Sequence, residues 1–255
     1  MSYGTRSDSK EMEDQVYRQL YEVENEHWWF TARKDILLQY LDRRLPLPPT
    51  ARVLDVGCGT GAILESFSRR YQAFGSDMAP QAIAFCRERG LTRLHLGTLE
   101  TYPPSEPFDL ITMLDMVEHV EDDDGLLRTA RRLLAPAGHV LIAVPAFPSL
   151  WSRHDEILHH KRRYTRRGLR RLVEHAGFAV EHLTFFNSFL FPVAWAKRLA
   201  ARTTGSEKAN DLDIPPRPLN ALLRGVFRAE RGLLLRATLP VGLSLLCLAR
   251  KNGAA

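Results

Sequence analysis

The chain has 255 residues, of which 45% are hydrophobic, enough apolar side chains for the core of one α/β domain with an elaboration. Its three cysteines, Cys58, Cys86 and Cys247, are too few and too scattered for a disulfide framework or a zinc site, which favours a reducing cytoplasm. The net charge of +5 indicates an anionic partner only weakly, and no uncharged apolar run reaches the roughly 18 residues of a membrane-spanning helix.

Two helices are predicted ahead of the first strand. The first carries Val16, Leu20 and Val23 at helical spacing, and the second runs through HWWFTARKDILLQYL. The proline-rich run LPLPPT, residues 45–50, ends the second helix and leads into a strand. Residues 1–48 are therefore predicted to form an N-terminal helical cap.

The nine residues VLDVGCGTG, from Val53 to Gly61, are the most informative segment of the chain. Their apolar start and glycine-rich end predict a buried parallel strand that breaks into a tight loop, with a helix from Ala62. Glycine allows positive φ and lets a ligand approach the backbone closely, which a Cβ atom would block. A strand, loop and helix of this kind hold an adenosine cofactor in many α/β folds.

Strands and helices alternate through the rest of the chain, which predicts an α/β sheet with helices on both faces. The first five strands are expected near residues 52–56, 72–76, 93–96, 108–114 and 138–144. A helix ended by Gly177 precedes a sixth strand in AVEHLTFFNSF, and GLSLLCLARK suits a seventh strand near the C-terminus. The expected division is a core over 49–186, a helical insertion over 187–239, and a final core strand with a tail over 240–255.

Two classes of cofactor compete for the glycine loop. Gly57, Gly59 and Ala62 also satisfy the dinucleotide pattern G-x-G-x-x-A. Asp55 disfavours that class, because a carboxylate two residues before the first glycine would repel a pyrophosphate at the helix N-terminus. A cofactor that carries an amino acid and a sulfonium suits a carboxylate better. Asp77, which ends the second strand 22 residues later, is placed to accept hydrogen bonds from ribose hydroxyls.

These residues resemble motif I of the class I methyltransferases that depend on S-adenosylmethionine (SAM), and FDLITMLDMVEHVEDD, which begins at Phe108, resembles motif IV. Over roughly residues 27–145 the chain is similar to ubiquinone-biosynthesis O-methyltransferases. The resemblance implies a Rossmann-like sheet of seven strands, the last antiparallel, and it implies that Arg33 binds the carboxylate of SAM through its fork-shaped guanidinium. The residues expected to hold SAM are Trp28, Arg33, Asp55, Gly57, Cys58, Gly59, Gly61, Asp77, Met78, Thr98, Leu99, Leu114 and Asp115.

A second cluster follows the fourth strand. If a helix begins after Leu114, then Asp115, Glu118 and His119 share one of its faces. Two carboxylates and an imidazole are plausible ligands for a hard cation such as Mg²⁺, or a base with its orienting group. The pattern D-x-x-E-H resembles the E-x-x-E-H of metal-assisted quinone and small-RNA 2′-O-methyltransferases, with Asp115 one methylene shorter. The Glu-His pair also occurs in methyltransferases that use no metal, so both roles stay open.

The loop after the fifth strand contains four further polar candidates, His154, Asp155, His159 and His160. It lies at the carboxyl edge of the sheet, where acceptors bind. Methyl transfer requires in-line approach of a nucleophile, and a hydroxyl acceptor also benefits from a base that takes its proton. His119 and His154 are the predicted bases.

The insertion indicates an oily acceptor. Its apolar stripe, which includes Leu219, Leu222 and Phe227, either covers the substrate pocket or rests on a membrane surface. The predicted function is therefore methylation of an oxygen on a small lipophilic molecule, by a protein that is cytoplasmic or peripheral at the inner face of the membrane. Nucleic acid is disfavoured as a partner because no separate RNA-binding module is present.

Two rival functions remain from the sequence. One is RNA 2′-O-methylation, in which the seven basic residues between Lys161 and Arg171 would follow the RNA backbone. The other is a non-catalytic SAM-binding subunit that supports another enzyme.

Overall fold

One sheet of seven strands organises the protein in this computed structural model, which describes residues 6–193, 195–196 and 212–253. The strands are β1 Arg52–Val56, β2 Gln72–Asp77, β3 Leu94–Leu96, β4 Phe108–Leu114, β5 Leu134–Pro145, β6 Phe178–Phe186 and β7 Ser244–Lys251. Their order across the sheet is β3-β2-β1-β4-β5-β7-β6. Strand β7 runs antiparallel between β5 and β6, whereas the other neighbouring pairs are parallel. The predicted seven-stranded Rossmann-like sheet is therefore confirmed.

Helices cover both faces of this sheet. They are α1 Arg6–Val23, α2 Trp28–Arg44, α3 Ala62–Ser68, α4 Pro80–Glu88, α5 Asp123–Leu133, α6 Arg153–Ile157, α7 Arg166–His175, α8 Arg217–Ala229 and α9 Arg231–Leu234. None of the helices in the described ranges combines the length and the apolar character that crossing a bilayer requires. Residues 194 and 197–211 of the predicted insertion lie outside the described residues. The division into cap, core, insertion and tail stays a prediction.

Two apolar layers hold the helices to the sheet. Side chains alternate along β1, so that Val53 packs into one layer and Leu54 into the other. Helices α5 and α7 complete the layer that contains Leu54, whereas α2, α3, α4, α8 and α9 complete the layer that contains Val53. Phe227 of α8 is fully buried and contacts Trp28 of α2, with 6.1 Å between ring centroids. Helices α2, α8 and α9 therefore lie on the same face of the sheet, next to each other.

Most strand boundaries follow the sequence pattern, and one differs. Strand β5 begins at Leu134, four residues before the predicted start, because Leu134 pairs with Phe108 at the beginning of β4. The ladder shifts register between Phe108 and Leu110, which accommodates the segment with Pro136 and Gly138 inside the strand. A turn signal in the sequence is therefore an irregularity within a longer strand.

The helix expected directly after Leu114 is absent. Asp115 has φ of 56°, a left-handed conformation that no α-helix contains, and its N–H donates to the carbonyl of Ala143. A short 3₁₀ helix, Val117–His119, follows instead. The prediction that Asp115, Glu118 and His119 share one helical face is therefore wrong, and their side chains have different surroundings.

Candidate active site

A cavity of about 200 Å³ lies at the carboxyl ends of β1 and β4, between the glycine loop and the cap helices. This is the edge at which ligands bind in open α/β sheets. Its lining residues come from α1, α2, β1, the glycine loop, the start of α3 and the end of β4, with the residues that directly follow α1 and β4: Leu20, Glu24, Trp29, Phe30, Arg33, Lys34, Asp55, Gly57, Cys58, Gly59, Thr60, Ala62, Ile63, Leu114 and Asp115. Seven of the residues predicted to hold the cofactor are among them.

The glycine loop is shaped by its backbone. Gly57, Gly59 and Gly61 all have positive φ, between 53° and 88°. A Cβ atom on Gly57 would lie 2.8 Å from Cβ of Met116, so a side chain would not fit there. A Cβ atom on Gly59 would meet no described atom within 4 Å, which leaves space for a ligand. Position 57 thus requires glycine for its positive φ and for close packing, and position 59 requires it for its positive φ and for the open space beside it.

Asp55 places a buried carboxylate in the cavity wall. It is 3% exposed and accepts a 2.6 Å hydrogen bond from the hydroxyl of Thr112. Burial raises the pKa of Asp55 to about 6, although the Thr112 hydroxyl and the charge of Arg33 act in the opposite direction. The negative charge is therefore costly in the unliganded protein, and a bound ammonium group would stabilise it.

Arg33 places a buried cation in the same cavity. It is 5% exposed, one of its terminal nitrogens lies 2.7 Å from the carboxylate of Asp115, and the guanidinium lies 5.2 Å from the ring centroid of Trp29. Its Nε is buried and has no hydrogen-bond acceptor among the described residues. A buried donor without an acceptor costs free energy, so this guanidinium fits a carboxylate on a ligand. Together with Asp55 it matches the two charges of an amino acid.

Asp77 supports the loop. One carboxylate oxygen accepts from the N–H of Gly59 and the other from the N–H of Ala79, both at 2.9 Å. Burial raises the pKa of Asp77, and these backbone donors oppose the rise. Each oxygen keeps a lone pair, so the ribose contact stays a prediction.

The other predicted cofactor residues have mixed surroundings. Cys58 lines the cavity with its Sγ 3.8 Å from that of Cys86, and the contact with Cys86 together with burial raises its thiol pKa well above the usual value. Such a thiol is a filler rather than a nucleophile. Trp28 packs on α8, and Trp29 lines the cavity in its place.

Three predicted residues follow β2 and β3, away from the cavity lining. Met78 is 71% exposed, Leu99 is buried in an apolar layer, and Thr98 accepts a backbone hydrogen bond from Thr101. Their contacts with adenosine stay predictions.

A second group of side chains lies beyond Asp115. Glu118, His119 and His160 each place a ligand atom within 4.8 Å of the others. Glu118 is 1% exposed, and neither of its carboxylate oxygens has a hydrogen-bond partner among the described residues. Burial and the charge of Asp115 raise the pKa of Glu118 well above its usual value, whereas burial and the neighbouring His160 lower that of His119 to about 4. We call these three residues the Glu-His-His group. Asp115, the third ligand predicted from the sequence, pairs with Arg33, and His160 lies beside Glu118 and His119 instead. The metal site itself stays a prediction.

His160 is oriented by Asp155, which is fully buried. Nδ1 of His160 lies 2.9 Å from the Asp155 carboxylate, which also accepts from Nε of Arg163 at 2.7 Å and from the N–H of Ser152. Burial opposes ionisation of Asp155, but these donors hold its pKa below the ordinary value. An ionised Asp155 favours the proton on Nδ1 of His160, which leaves Nε2 as an acceptor.

His160 was not predicted as a base from the sequence. It is one of the four polar candidates of this loop, but the predicted base was His154, whose side chain lies outside the described part of the structure. The five-residue spacing from Asp155 to His160 was the available signal. It becomes informative only when a turn closes it, and the N–H of His160 does donate to the carbonyl of Asp155.

Comparisons with known proteins show the family of this chain. A family model described as a methyltransferase domain matches residues 27–183, more than half of the chain. The ubiquinone biosynthesis O-methyltransferase of Xanthomonas oryzae pv. oryzae is 33% identical in a 132-residue alignment that covers 46% of this chain and 55% of that protein. The protein of the same name from Xylella fastidiosa is 31% identical over 46% of this chain and 53% of its own length. The match therefore spans about half the length of these curated relatives.

Solved structures share the fold at low sequence identity. The [4+2]-cyclase SpnF has a TM-score of 0.63 and 20% identity, with 100% of this chain and 98% of that chain covered. The N-methyltransferase NodS from Bradyrhizobium japonicum, in complex with S-adenosyl-L-homocysteine (SAH), has a TM-score of 0.52 and 15% identity over 86% of each chain. A cyclase and an N-methyltransferase with this architecture indicate that the fold alone does not select the reaction.

Proposed function

This chain belongs to the family of SAM-dependent methyltransferases, and from that premise we propose that it transfers the methyl group of SAM to an oxygen atom of a small lipophilic acceptor. The observation that carries the choice of oxygen is the Glu-His-His group, with His160 oriented by Asp155, beside the cofactor cavity. A hydroxyl must lose a proton to become an ether, and this group offers an acceptor for it. The names of the curated relatives support the same choice.

The methionine end of SAM is proposed to lie in the cavity. Its ammonium group would contact Asp55, and its carboxylate would accept from the guanidinium of Arg33, where Nε has no other acceptor. The glycine loop would pass the ribose toward Asp77. This arrangement uses the buried charges of Asp55 and Arg33 and stabilises each with an opposite charge.

The chemical step is a direct displacement. The acceptor oxygen forms a bond to the methyl carbon while the bond from carbon to sulfur breaks, and SAH leaves as a neutral thioether. The hydroxyl proton passes to Nε2 of His160, and Asp155 stabilises the imidazolium that results. No covalent enzyme intermediate forms, so alignment of the two reactants supplies much of the acceleration.

A divalent cation is a second candidate role for the same three side chains. The supporting observation is Glu118, whose two buried oxygens have no described partner. Two imidazoles and one carboxylate suit Mn²⁺ or Zn²⁺ better than the Mg²⁺ expected from the sequence, because Mg²⁺ prefers oxygen ligands. A cation bound there would lower the pKa of a coordinated acceptor hydroxyl.

The test is a methyl-transfer assay on the purified chain. Labelled SAM is incubated with a panel of hydroxylated lipophilic compounds and their matched amines, with and without a chelator. We expect transfer to hydroxyl compounds, and His160→Asn is expected to lower it by roughly 100-fold. The matched control is His159→Asn, because His159 is exposed and its φ of 55° is one that asparagine tolerates.

Each result has a distinct consequence. Transfer only to amines would overturn O-methylation. Equal activity of His160→Asn and His159→Asn would show that His160 is not the base. Loss of activity with a chelator, restored by Mn²⁺ or Zn²⁺, would assign the Glu-His-His group to a cation. Transfer to RNA with strongly salt-dependent affinity would support the RNA rival. SAH binding without transfer to any acceptor would support the non-catalytic subunit.

A further inference from the structure

The insertion exposes an unusual share of the large apolar side chains. Among the residues that the structure describes, eleven large hydrophobic side chains are exposed, and seven of them lie between residues 189 and 233. We call these seven the apolar surface of the insertion: Phe189, Val193, Trp195, Ile214, Leu219, Leu222 and Leu233. Val193 is 69% exposed and Leu222 is 63% exposed, so neither packs into the protein.

Helix α8 illustrates why this surface needs a partner. One side of the helix packs on α2, where Phe227 is fully buried and Asn220 accepts a hydrogen bond from the N–H of Trp28. Leu219 and Leu222 lie one turn apart on another side and remain exposed. A helix that only covers a core needs a single apolar stripe, with polar residues elsewhere. The second apolar side of α8 is therefore in excess of what the fold requires.

The charges around this surface select the kind of partner. Residues 212–240 contain five arginines, at positions 217, 224, 228, 231 and 236, and only two acidic residues. One of those, Glu230, is fully buried and accepts from the N–H of Phe189, so Asp213 is the one exposed carboxylate within this range. Arg228 pairs with Asp35 of α2 at 3.1 Å, which leaves the other four arginines for an external partner. Arginine beside exposed leucine and tryptophan complements a surface that is negatively charged outside and apolar beneath. An anionic bilayer has that structure.

The position of the surface is also suitable. The insertion begins directly after β6. The ring centroids of Phe191 and Phe147 lie 5.6 Å apart, and Phe147 follows β5 at the carboxyl edge of the sheet. Helix α8 contacts Trp28 at the start of α2. Trp29 and Arg33, which line the cofactor cavity, also belong to α2. The apolar surface is thus attached to the elements that surround the active site.

We propose that the apolar surface of the insertion docks peripherally on a bilayer that contains anionic phospholipid, with the neighbouring arginines at the level of the head groups. This inference goes beyond the proposed function and does not depend on methyl transfer. Where both hold, the acceptor is a membrane-dissolved molecule that reaches the active site from the bilayer.

Vesicle flotation of the full chain tests the proposal. The chain is mixed with vesicles of phosphatidylcholine alone, or of phosphatidylcholine with phosphatidylglycerol, at low and high salt. We expect flotation with the anionic vesicles, weakened by high salt because salt screens the arginines. The variant Val193→Ser/Trp195→Ser/Leu222→Ser is expected to partition roughly tenfold less, since it loses apolar area for the interface.

The matched control is Val16→Ser/Leu96→Ser, which removes two exposed apolar side chains outside the insertion and should float as well as the natural chain. Calorimetric titration with SAH shows whether each variant is folded, independently of any acceptor. Absence of flotation with both vesicle types would overturn the proposal, as would full flotation of the triple variant. Equal flotation with neutral vesicles would overturn the role of the arginines. A dimer in solution that the triple variant converts to a monomer would instead assign the surface to a second copy of the chain.

Discussion

The two ends of the proposed active site, one for the cofactor and one for the acceptor, are built in different ways. The cofactor end depends on one short segment, in which the glycine loop and Asp55 lie within seven residues, and on Arg33 from α2. The acceptor end joins Glu118 and His119, which follow β4, to His160, which follows β5 and is held by Asp155. The first is a local motif with charges that suit one ligand, whereas the second exists only after two loops meet. Variants should therefore damage one end and spare the other.

The largest effect is expected for Asp155→Asn at the acceptor end. The substitution leaves the buried Arg163 without its ion-pair partner and releases His160, so unfolding should require about 3–5 kcal/mol less free energy. Methyl transfer should fall by roughly 100-fold while SAH affinity is unchanged. Chemical denaturation and calorimetry measure the two quantities. Glu156→Gln, an exposed neighbour, is the control, and an equal loss of SAH affinity in Asp155→Asn would contradict the separation of the two ends.

Asp55→Asn should have opposite effects on stability and on cofactor binding. Folding raises the pKa of Asp55 from 3.8 to about 6, so ionisation of this carboxyl opposes folding. The protonated carboxyl contributes stability that is fully present below pH 3.8 and is lost as the pH rises through 6. Asparagine removes this cost and still accepts from Thr112, so the unliganded protein should gain up to about 3 kcal/mol at pH 8. SAH binding should weaken, because the ammonium group loses its carboxylate.

The pH dependence of SAH affinity checks the same residue in the natural chain. Only ionised Asp55 attracts an ammonium group, so affinity should fall by about tenfold per pH unit below 6 and stay constant above it. Asp55→Asn should abolish this slope. An affinity that does not change between pH 5 and pH 8 would mean that Asp55 does not contact the cofactor.

Arg33→Met isolates the other charge of the cofactor end. SAH affinity should fall by roughly 100-fold, because a buried, charge-assisted contact with the ligand carboxylate is lost. Arg43→Met is the matched control, since Arg43 lies on the same helix but is exposed. Calorimetry measures both. If the two variants bind SAH equally well, the carboxylate is held elsewhere.

An effect on stability alone is expected at the base of the insertion, for Glu230→Gln. Burial raises the pKa of Glu230 to about 7, so the stability present at acidic pH is lost as pH rises through 7. Glutamine still accepts from the N–H of Phe189 and carries no charge, so unfolding at pH 8 should require up to about 3 kcal/mol more free energy. Thermal denaturation at pH 5 and pH 8 measures the difference, which should shrink to under about 1 kcal/mol at pH 5. A variant that is less stable at pH 8 would contradict this account.

The sequence by itself determined the sheet and predicted the cofactor end. Val53 to Gly61 contain a strand, a turn and a carboxylate in adjacent positions, and the apolar alternation of the later strands sets their faces, so local physics is sufficient. The antiparallel seventh strand and the arginine of α2 came from resemblance, because neither follows from periodicity.

Only the tertiary structure decided the acceptor end. The N–H of Asp115 donates a hydrogen bond to the carbonyl of Ala143 on the neighbouring strand. This hydrogen bond holds Asp115 at positive φ and prevents the helix that the sequence pattern favours. The carboxylate of Asp115 pairs with Arg33. Glu118 lies beside His160, which belongs to a loop more than forty residues later in the chain. Contacts between loops depend on the register of β4 and β5, which is a property of the assembled sheet and not of either segment alone.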